Sequence, residues 1–211
     1  MIIGITGRIN SGKDTVANYL TTAHNFQRMS YAEPLKDAVS AIFGWDRMML
    51  EGTTKESRLW RDQVDIWWAK RLNIPNLTPR WVLQQWGTEV GRRAFHDDIW
   101  IASIENKIRQ FSSQNIVISD CRFANELQAI KNAGGITIRV ERGSDPDWYK
   151  AALIYNKGST CPEYHEAEKY LKDHGIHASE YSSVGLQYDF IIDNDGSIEQ
   201  LYSKVDSIIN L

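Results

Sequence analysis

Short apolar runs alternate with segments of helical periodicity along this chain of 211 residues. A continuous apolar run bounded by turn residues is typical of a strand that is buried on both faces of a sheet. Asn115–Asp120 fits that description, and we predict four further strands at Met1–Thr6, Phe26–Met29, Ile136–Val140 and Tyr188–Asp193.

Between these runs, apolar residues recur at spacings of three and four, which is typical of helices with one buried face. We expect helices over 13–20, 35–43, 80–94, 98–110, 123–133, 162–172 and 198–208. The stretch 45–80 is charged, rich in tryptophan and only weakly periodic, and the stretch 142–180 is polar. Because strands alternate with helices, we predict one α/β domain with a parallel sheet.

Composition narrows the function classes without changing this fold prediction. The formal net charge is −3 and the isoelectric point is about 6.0. Proteins that bind nucleic-acid polymers usually have a basic face, so we do not expect such a polymer as a partner. Cys121 and Cys161 lack metal-type spacing and favour a reducing compartment. The first apolar run ends at Ile5, too early for a signal peptide, and no run approaches the ~20 residues that span a bilayer. We therefore expect a cytoplasmic protein without a membrane partner.

The residues after the first strand have the spacing of a phosphate-binding loop. Gly7, Gly12 and Lys13 match G-x-x-x-x-G-K, and the match lies between an apolar strand and the start of a helix. In such a loop the backbone N–H groups and the helix N-terminus attract phosphate, and the lysine reaches the β- and γ-phosphates. A glycine-rich turn without a ligand is the alternative interpretation.

The residue after Lys13 departs from this pattern. Asp14 stands where a Ser or Thr hydroxyl normally binds Mg²⁺, and Thr15 follows one residue later. A carboxylate is also a good Mg²⁺ ligand, and the helix dipole favours an acid in the first turn. We predict that Asp14 serves the metal, directly or through water, with Thr15 as helper. The alternative is that Asp14 only stabilises the start of the helix.

Two further segments carry charges that suit phosphate chemistry. Asp120 lies where an apolar strand ends, the position of a second Mg²⁺-organising acid in phosphate-loop enzymes, and Arg122 follows at the same edge of the sheet. An arginine clamps phosphate oxygens well, although an ion pair with Glu126 is the alternative. The segment TPRWVLQQWGTEVGRR (78–93) is interpreted either as an acceptor site or as a solvated helix.

Other clusters do not point to a different metal. The five histidines form no H-x-x-x-H or Cys/His cluster, so zinc is not expected. The sequence DNDGS (193–197) fails the EF-hand pattern and is expected to form a turn before the last helix. Seven of the eight tryptophans lie between Trp45 and Trp100, and we favour core packing over base stacking for most of them.

Six segments, in this order, resemble those of the phage-type deoxynucleoside monophosphate kinases, members of the phosphate-loop (P-loop) nucleoside monophosphate kinase superfamily. They are GRINSGKDT, YAEPLKDA, TPRWVLQQWGTEVGRR followed by DDIW, ISDCRFANE, HASE and FIIDNDGSIEQL. The resemblance implies a three-layer α/β/α P-loop kinase fold with a mainly parallel five-stranded sheet, a helical insertion that binds the monophosphate, and a lid. It implies a core at about 1–44, 100–141 and 183–211, the insertion at about 45–99 and the lid at about 142–182.

The same resemblance implies roles for individual residues. It also implies that Asp14 is a variant common in this family, because the loop sequence G-x-x-x-S-G-K-D occurs in its members. The residues implied to bind the ATP phosphates are Gly7, Asn10, Ser11, Gly12, Lys13, Asp14 and Thr15. Those implied for the acceptor are Lys36, Arg80, Gln84, Gln85, Thr88, Arg92 and Arg122. Arg142 and Glu180 belong to the implied lid, and Asn194, Asp195 and Gly196 border the adenine. The expected catalytic residues are Lys13, Arg92, Asp120 and Arg122, and the expected Mg²⁺ ligands are Asp14, Thr15 and Asp120.

Motifs and resemblance together predict a phage-encoded, ATP- and Mg²⁺-dependent kinase that converts deoxynucleoside monophosphates into diphosphates. Two alternatives stay open at this point: a P-loop kinase for phosphomevalonate or dephospho-coenzyme A, and a nucleotide-binding protein without turnover. A GTPase switch is disfavoured because we find no N-K-x-D. A homodimer is left open, and a viral protein of this kind is expected in the host cytoplasm.

Overall fold

The computed structural model describes residues 1–110 and 115–210. Its strands are β1 (Ile2–Thr6), β2 (Gln27–Met29), β3 (Ile116–Ile118), β4 (Ile136–Glu141) and β5 (Phe190–Asp193). Its α-helices are α1 (Lys13–His24), α2 (Glu33–Phe43), α3 (Arg47–Glu51), α4 (Lys55–Arg61), α5 (Ile66–Leu72), α6 (Pro79–Gln84), α7 (Ile99–Ile108), α8 (Ala124–Asn132), α9 (Tyr149–Asn156), α10 (Tyr164–Asp173), α11 (Ala178–Tyr181) and α12 (Ile198–Ile209), and a π-helix spans Gln85–Phe95. None of the helices in these ranges is long and apolar enough to cross a membrane.

The five strands form one wholly parallel sheet in the order β2-β3-β1-β4-β5. Successive residues of a strand face opposite sides of the sheet. Ile3 and Ile5 of the central strand accordingly pack into a core with α1 and α12, whereas Gly4 faces Ile130 of α8 on the other side. The predicted P-loop kinase fold, with a parallel sheet between two helical layers, is therefore confirmed.

The described chain divides into two compact units. Of the described residues, the first unit comprises 1–30, 108–110 and 115–210, and it contains the sheet together with α1 and the helices from α8 onward. The second unit comprises 31–107 and is entirely helical in its regular elements. The finer division into core, insertion and lid that the resemblance implies stays a prediction.

The tryptophans form much of the interior of the second unit. Its core is built around buried Leu50, Leu77 and Val39, and six tryptophans belong to it, namely Trp45, Trp60, Trp68, Trp81, Trp86 and Trp100. Trp67 is the exception in this stretch, since 64% of its surface is exposed. The favoured interpretation of the tryptophans as packing residues is confirmed for these six.

The stretch 45–80 contains three short helices, α3 to α5, which the periodicity did not predict. Each has only five to seven residues, too few to repeat an apolar face over several turns. Their starts are set locally instead, because the side chains of Asp46, Thr54 and Asp65 accept hydrogen bonds from backbone N–H groups of the first turn. Helices α9 and α11 lie in the polar stretch and were likewise not predicted.

Candidate functional site

The loop between β1 and α1 has the construction of an anion site. Gly12 caps α1 in a left-handed conformation at φ 102°, and its cap position supplies no side-chain acceptor to the first turn. Ser11 is 2% exposed, yet its Oγ atom has no hydrogen-bond partner among the residues the structure describes. A buried hydroxyl without a partner costs free energy unless a ligand satisfies it. The uncapped start of a twelve-residue helix and this hydroxyl together favour a bound phosphate.

Asn194, in the turn after β5, stabilises this loop by a hydrogen bond to its backbone. Its side-chain amide donates to the Ser11 carbonyl oxygen over 2.8 Å, and the residue is only 8% exposed. A Cβ atom at Gly12 would lie 2.2 Å from Asn194 Nδ2, so a glycine is required there by contact as well as by its positive φ. The predicted adenine contact of Asn194, Asp195 and Gly196 stays a prediction.

Lys13 lies among charges in the first unit. Its Nζ atom donates to the Arg8 carbonyl oxygen over 3.3 Å. Burial lowers the pKa of the Lys13 ammonium, the nearby Arg122 lowers it further, and the carboxylates of Asp14, Glu180 and Asp120 counteract part of that shift. The structure therefore brings Lys13 into electrostatic contact with both residues of the predicted Asp120/Arg122 pair.

Asp120 and Arg122 follow β3 at its carboxyl end, as predicted. Ser30 Oγ donates to Asp120 Oδ2 over 2.7 Å. Arg122 Nη1 lies 3.1 Å from Glu180 Oε1 in α11 and donates more weakly to Ser179. The predicted lid residue Glu180 is thus a direct partner of Arg122.

Glu126 has a different role from the ion pair that the sequence suggested for it. Its buried Oε2 atom accepts the backbone N–H groups of Arg122 and Phe123, over 2.6 and 3.0 Å. This carboxylate therefore fixes the turn that carries Arg122. The acid three residues after the N-cap position Phe123 is the sequence signal for this arrangement.

Arg8 is a residue of the loop that sequence reasoning missed. Its guanidinium donates to the carbonyl oxygens of Ser144, Arg142 and Gly143 over 2.5 to 3.1 Å, and it lies 3.7 Å from Asp145. The phosphate loop is thereby tied to the start of the predicted lid segment. Arg142 itself contributes its carbonyl oxygen to this contact, while its residue surface is exposed.

The charged acceptor residues predicted in the second unit, Lys36, Arg80 and Arg92, already have protein partners. Lys36 Nζ donates to Glu51 Oε2 over 2.6 Å, and Arg47 pairs with the same carboxylate. Burial raises the pKa of Glu51, but the hydrogen bonds from Lys36 and Arg47 outweigh it and hold the pKa below its usual value.

Arg80 pairs with Asp62, and the buried Arg92 donates to the Asp97 carbonyl oxygen over 2.7 Å. Among the neutral candidates, Thr88 is buried and Gln84 and Gln85 are half-buried.

The predicted acceptor residues from Arg80 to Arg92 lie on a helical stretch whose form differs from the prediction. The expected helix over 80–94 consists of α6 and then the π-helix, which carries Thr88 and Arg92. Trp100 lies against it: its indole N–H donates to the Gly87 carbonyl oxygen over 2.8 Å, and its ring covers Gly91. π-Helical turns are rare and occur frequently at functional sites, which agrees with the acceptor role predicted for this segment.

We expect Gly91→Ala to lower the free energy of unfolding by about 1–3 kcal/mol, the usual cost of overpacking. The added Cβ would lie 2.6 Å from Trp100 Cζ2 and 2.9 Å from the Trp86 carbonyl oxygen, so the indole has to move. Urea denaturation measures this change. Val90→Ala, at a 46% exposed position of the same helix, is the control and should change stability by less than about 0.5 kcal/mol. Equal stability of Gly91→Ala and wild type would contradict this packing.

Comparison with known proteins finds two kinds of relatives, viral proteins named as deoxynucleotide monophosphate kinases and bacterial dephospho-CoA kinases. No protein-family model matches the chain. A protein of Acanthamoeba polyphaga mimivirus, provisionally named a deoxynucleotide monophosphate kinase, is 28% identical over 221 residues, covering 100% of this chain and 96% of the relative. The deoxynucleoside-5'-monophosphate kinase of Escherichia phage T5 is 28% identical over 179 residues, covering 62% of this chain and 72% of the relative. A dephospho-CoA kinase of a Nostoc strain is 30% identical, but it covers only 38% of this chain and 48% of the relative. The two viral relatives confirm the resemblance that the motifs indicated.

Proposed function

We propose that this chain is a kinase that transfers the γ-phosphoryl group of ATP to a deoxynucleoside 5'-monophosphate, giving the diphosphate and ADP. The observation that carries the ATP half is the buried, unpartnered Ser11 hydroxyl at the Gly12-capped start of α1, next to Lys13. The acceptor half is supported by the viral relative that aligns with the whole chain.

The residues of the first unit suit the charge changes of phosphoryl transfer. An oxygen of the acceptor phosphate attacks the γ-phosphorus, and the bond from that phosphorus to the β,γ-bridging oxygen breaks. The attacking oxygen is already anionic, so no general base is needed. Lys13 neutralises charge on the β- and γ-phosphates, and Arg122 offers a guanidinium beside it. Arg8 links the loop to residues 142–144, which suits a segment that excludes water during transfer.

The donor atoms near the loop suit Mg²⁺ as the accompanying cation. Asp120 and Thr15 offer a carboxylate and a hydroxyl, the hard oxygen ligands that Mg²⁺ prefers. Within 1–110 and 115–210 no three His, Cys, Asp or Glu side chains gather as a metal site, which fits an ion held mainly by phosphate oxygens and water. When bound, Mg²⁺ would neutralise phosphate charge. The protein's own contribution is to hold the Asp120 carboxylate in place through Ser30.

The second unit supplies the proposed acceptor contacts. A phosphate of the acceptor would compete with Glu51 for Lys36, because the two bind the same ammonium. Arg92 is held by Asp97 within a buried setting, which fixes its guanidinium in one orientation. Arg80, Gln84, Gln85 and Thr88 complete the proposed set for the monophosphate, its sugar and its base.

The proposal is tested by measuring ADP formation with ATP, Mg²⁺ and one acceptor at a time. The panel contains the four deoxynucleoside monophosphates, the four ribonucleotides, phosphomevalonate, dephospho-coenzyme A and a blank without acceptor. We expect at least one deoxynucleoside monophosphate to raise the ADP rate at least tenfold above the blank. A response to dephospho-coenzyme A or phosphomevalonate alone would assign another acceptor. ATP binding without any acceptor-dependent turnover would replace the kinase with a nucleotide-binding protein.

A further inference from the structure

Arg28, the exposed middle residue of β2, contacts two separate segments of the first unit. Its Nη2 atom pairs with the Asp14 carboxylate, and its Nη1 atom donates to Asn18 Oδ1 over 2.8 Å. Nη2 and Nε both donate to Ser119 Oγ, over 2.8 and 3.1 Å. One guanidinium therefore joins the first two turns of α1 to the end of β3.

These contacts lie beside the residues proposed to carry the chemistry. Asp14 is flanked by Lys13 and Thr15, and Ser119 directly precedes Asp120. Ser30, two residues after Arg28, holds Asp120 by its hydroxyl. Arg28 in β2 and Ser30 just after it thus contact both acids that the sequence suggested as metal ligands, Arg28 pairing with Asp14 and Ser30 donating to Asp120.

The two acids consequently differ in their suitability for Mg²⁺. A guanidinium that lies on the Asp14 carboxylate competes with a divalent cation for the same oxygen atoms. It also holds the Asp14 side chain toward β2, together with Asn18. Asp120 accepts a hydrogen bond from the Ser30 hydroxyl, which orients the carboxylate, and Lys13 acts on it electrostatically.

Resting on the proposed function, we infer that Arg28 is a positioning residue of the ATP site and that Asp14 is its anchor rather than a direct Mg²⁺ ligand. Arg28 sets the N-terminal turns of α1, with Lys13 and Thr15, against the end of β3, with Asp120. Thr15 and Asp120 are then the side chains that we propose for Mg²⁺. The loop retains its function with Asp14 in the usual hydroxyl position, because the next residue supplies the hydroxyl.

A double-mutant cycle separates positioning from metal ligation. Asp14→Ala, Arg28→Ala and the double variant are titrated with ATP by calorimetry, once in saturating Mg²⁺ and once in EDTA. For a positioning pair, each single variant weakens ATP binding by about fivefold to tenfold in both conditions, and the double variant is no weaker than the worse single variant. Arg28→Lys should recover little of the ATP affinity that Arg28→Ala loses, because an ammonium lacks the planar fork with which a guanidinium reaches three partners.

The opposite result has a distinct pattern. If Asp14 ligates Mg²⁺, Asp14→Ala weakens binding in Mg²⁺ but not in EDTA, and its effect adds to that of Arg28→Ala. Either observation overturns the inference while leaving the proposed function intact. Thermal unfolding of each variant, without nucleotide, shows whether the variant remains folded. Absence of ATP binding by the unaltered chain refutes the proposed function and this inference with it.

Discussion

Lys13→Ala is expected to lower kcat for the proposed phosphoryl transfer by about 10³-fold, the usual scale for losing one preorganised charge at a transition state. The Lys13 ammonium follows Gly12 directly and lies within electrostatic reach of Arg122 and Asp120. No neighbouring lysine in the loop replaces it. Steady-state measurement of ADP at saturating ATP, Mg²⁺ and acceptor gives kcat directly.

The fold should survive this substitution. Burial lowers the pKa of Lys13, which means that the folded state disfavours its charged form relative to the unfolded chain. Removing the ammonium therefore does not lower the free energy of unfolding at neutral pH through this charge. Lys70→Ala, at an exposed position of α5, is the matched control and should keep kcat within twofold of wild type, as for a surface substitution. Turnover of Lys13→Ala at the wild-type rate would overturn the proposed mechanism.

The sequence predicted those parts of the molecule that are encoded locally. Four of the five strands are short and largely apolar, and the glycine loop lies between one of them and a helix, so its position follows from adjacent residues. The positions of Asp120 and Arg122 at the carboxyl end of β3 also followed, because parallel strands end at a common edge. The role of Asn194 behind the loop could not be predicted this way, since it depends on a partner 183 residues earlier in the chain.

Partners of charged side chains were the least predictable feature. From the sequence, Asp14 was interpreted as a Mg²⁺ ligand in the place of a hydroxyl group. In the structure its carboxylate pairs with Arg28, a residue that belongs to none of the motifs. Arg122 was paired with Glu126 because i, i+4 neighbours meet on a helix, but the chain between them forms a turn and the guanidinium lies beside Glu180. Helical spacing says nothing about contacts between residues separated by 58 positions.

The π-helix shows a different limit of predicting structure from the sequence. An apolar pattern with spacings of three and four predicts a helix with one buried face, but a stretch this short does not show which carbonyl oxygen each backbone N–H binds. Trp100 packs against this helix, because its indole N–H donates to the Gly87 carbonyl oxygen and its ring occupies the space beside Gly91. That contact joins residues 9 to 13 positions apart in the chain, so helical periodicity does not reveal it.

Arg122→Ala is expected to lower kcat/KM for the monophosphate acceptor by about 10²–10³-fold, on the scale of losing one charged donor at a reacting phosphate. In the structure the guanidinium lies beside Glu180 and Ser179, and Glu126 fixes its backbone through two N–H groups. A phosphate oxygen can take the place of the Glu180 carboxylate, because both are anionic acceptors for the same fork. Arg122→Lys keeps the charge but loses that fork, so we expect it to recover only a small part of the loss.

The measurement varies the acceptor at saturating ATP and separates kcat from KM, with ATP binding by calorimetry as a second readout. Because Arg122 is proposed to act on the acceptor and on transfer, ATP affinity should change much less than kcat/KM. Arg109→Ala, an exposed arginine of the same unit, is the matched control and should stay within about twofold of wild type. Full activity of Arg122→Lys would show that charge alone suffices, and full activity of Arg122→Ala would remove Arg122 from the mechanism and leave its pair with Glu180 a contact within the fold.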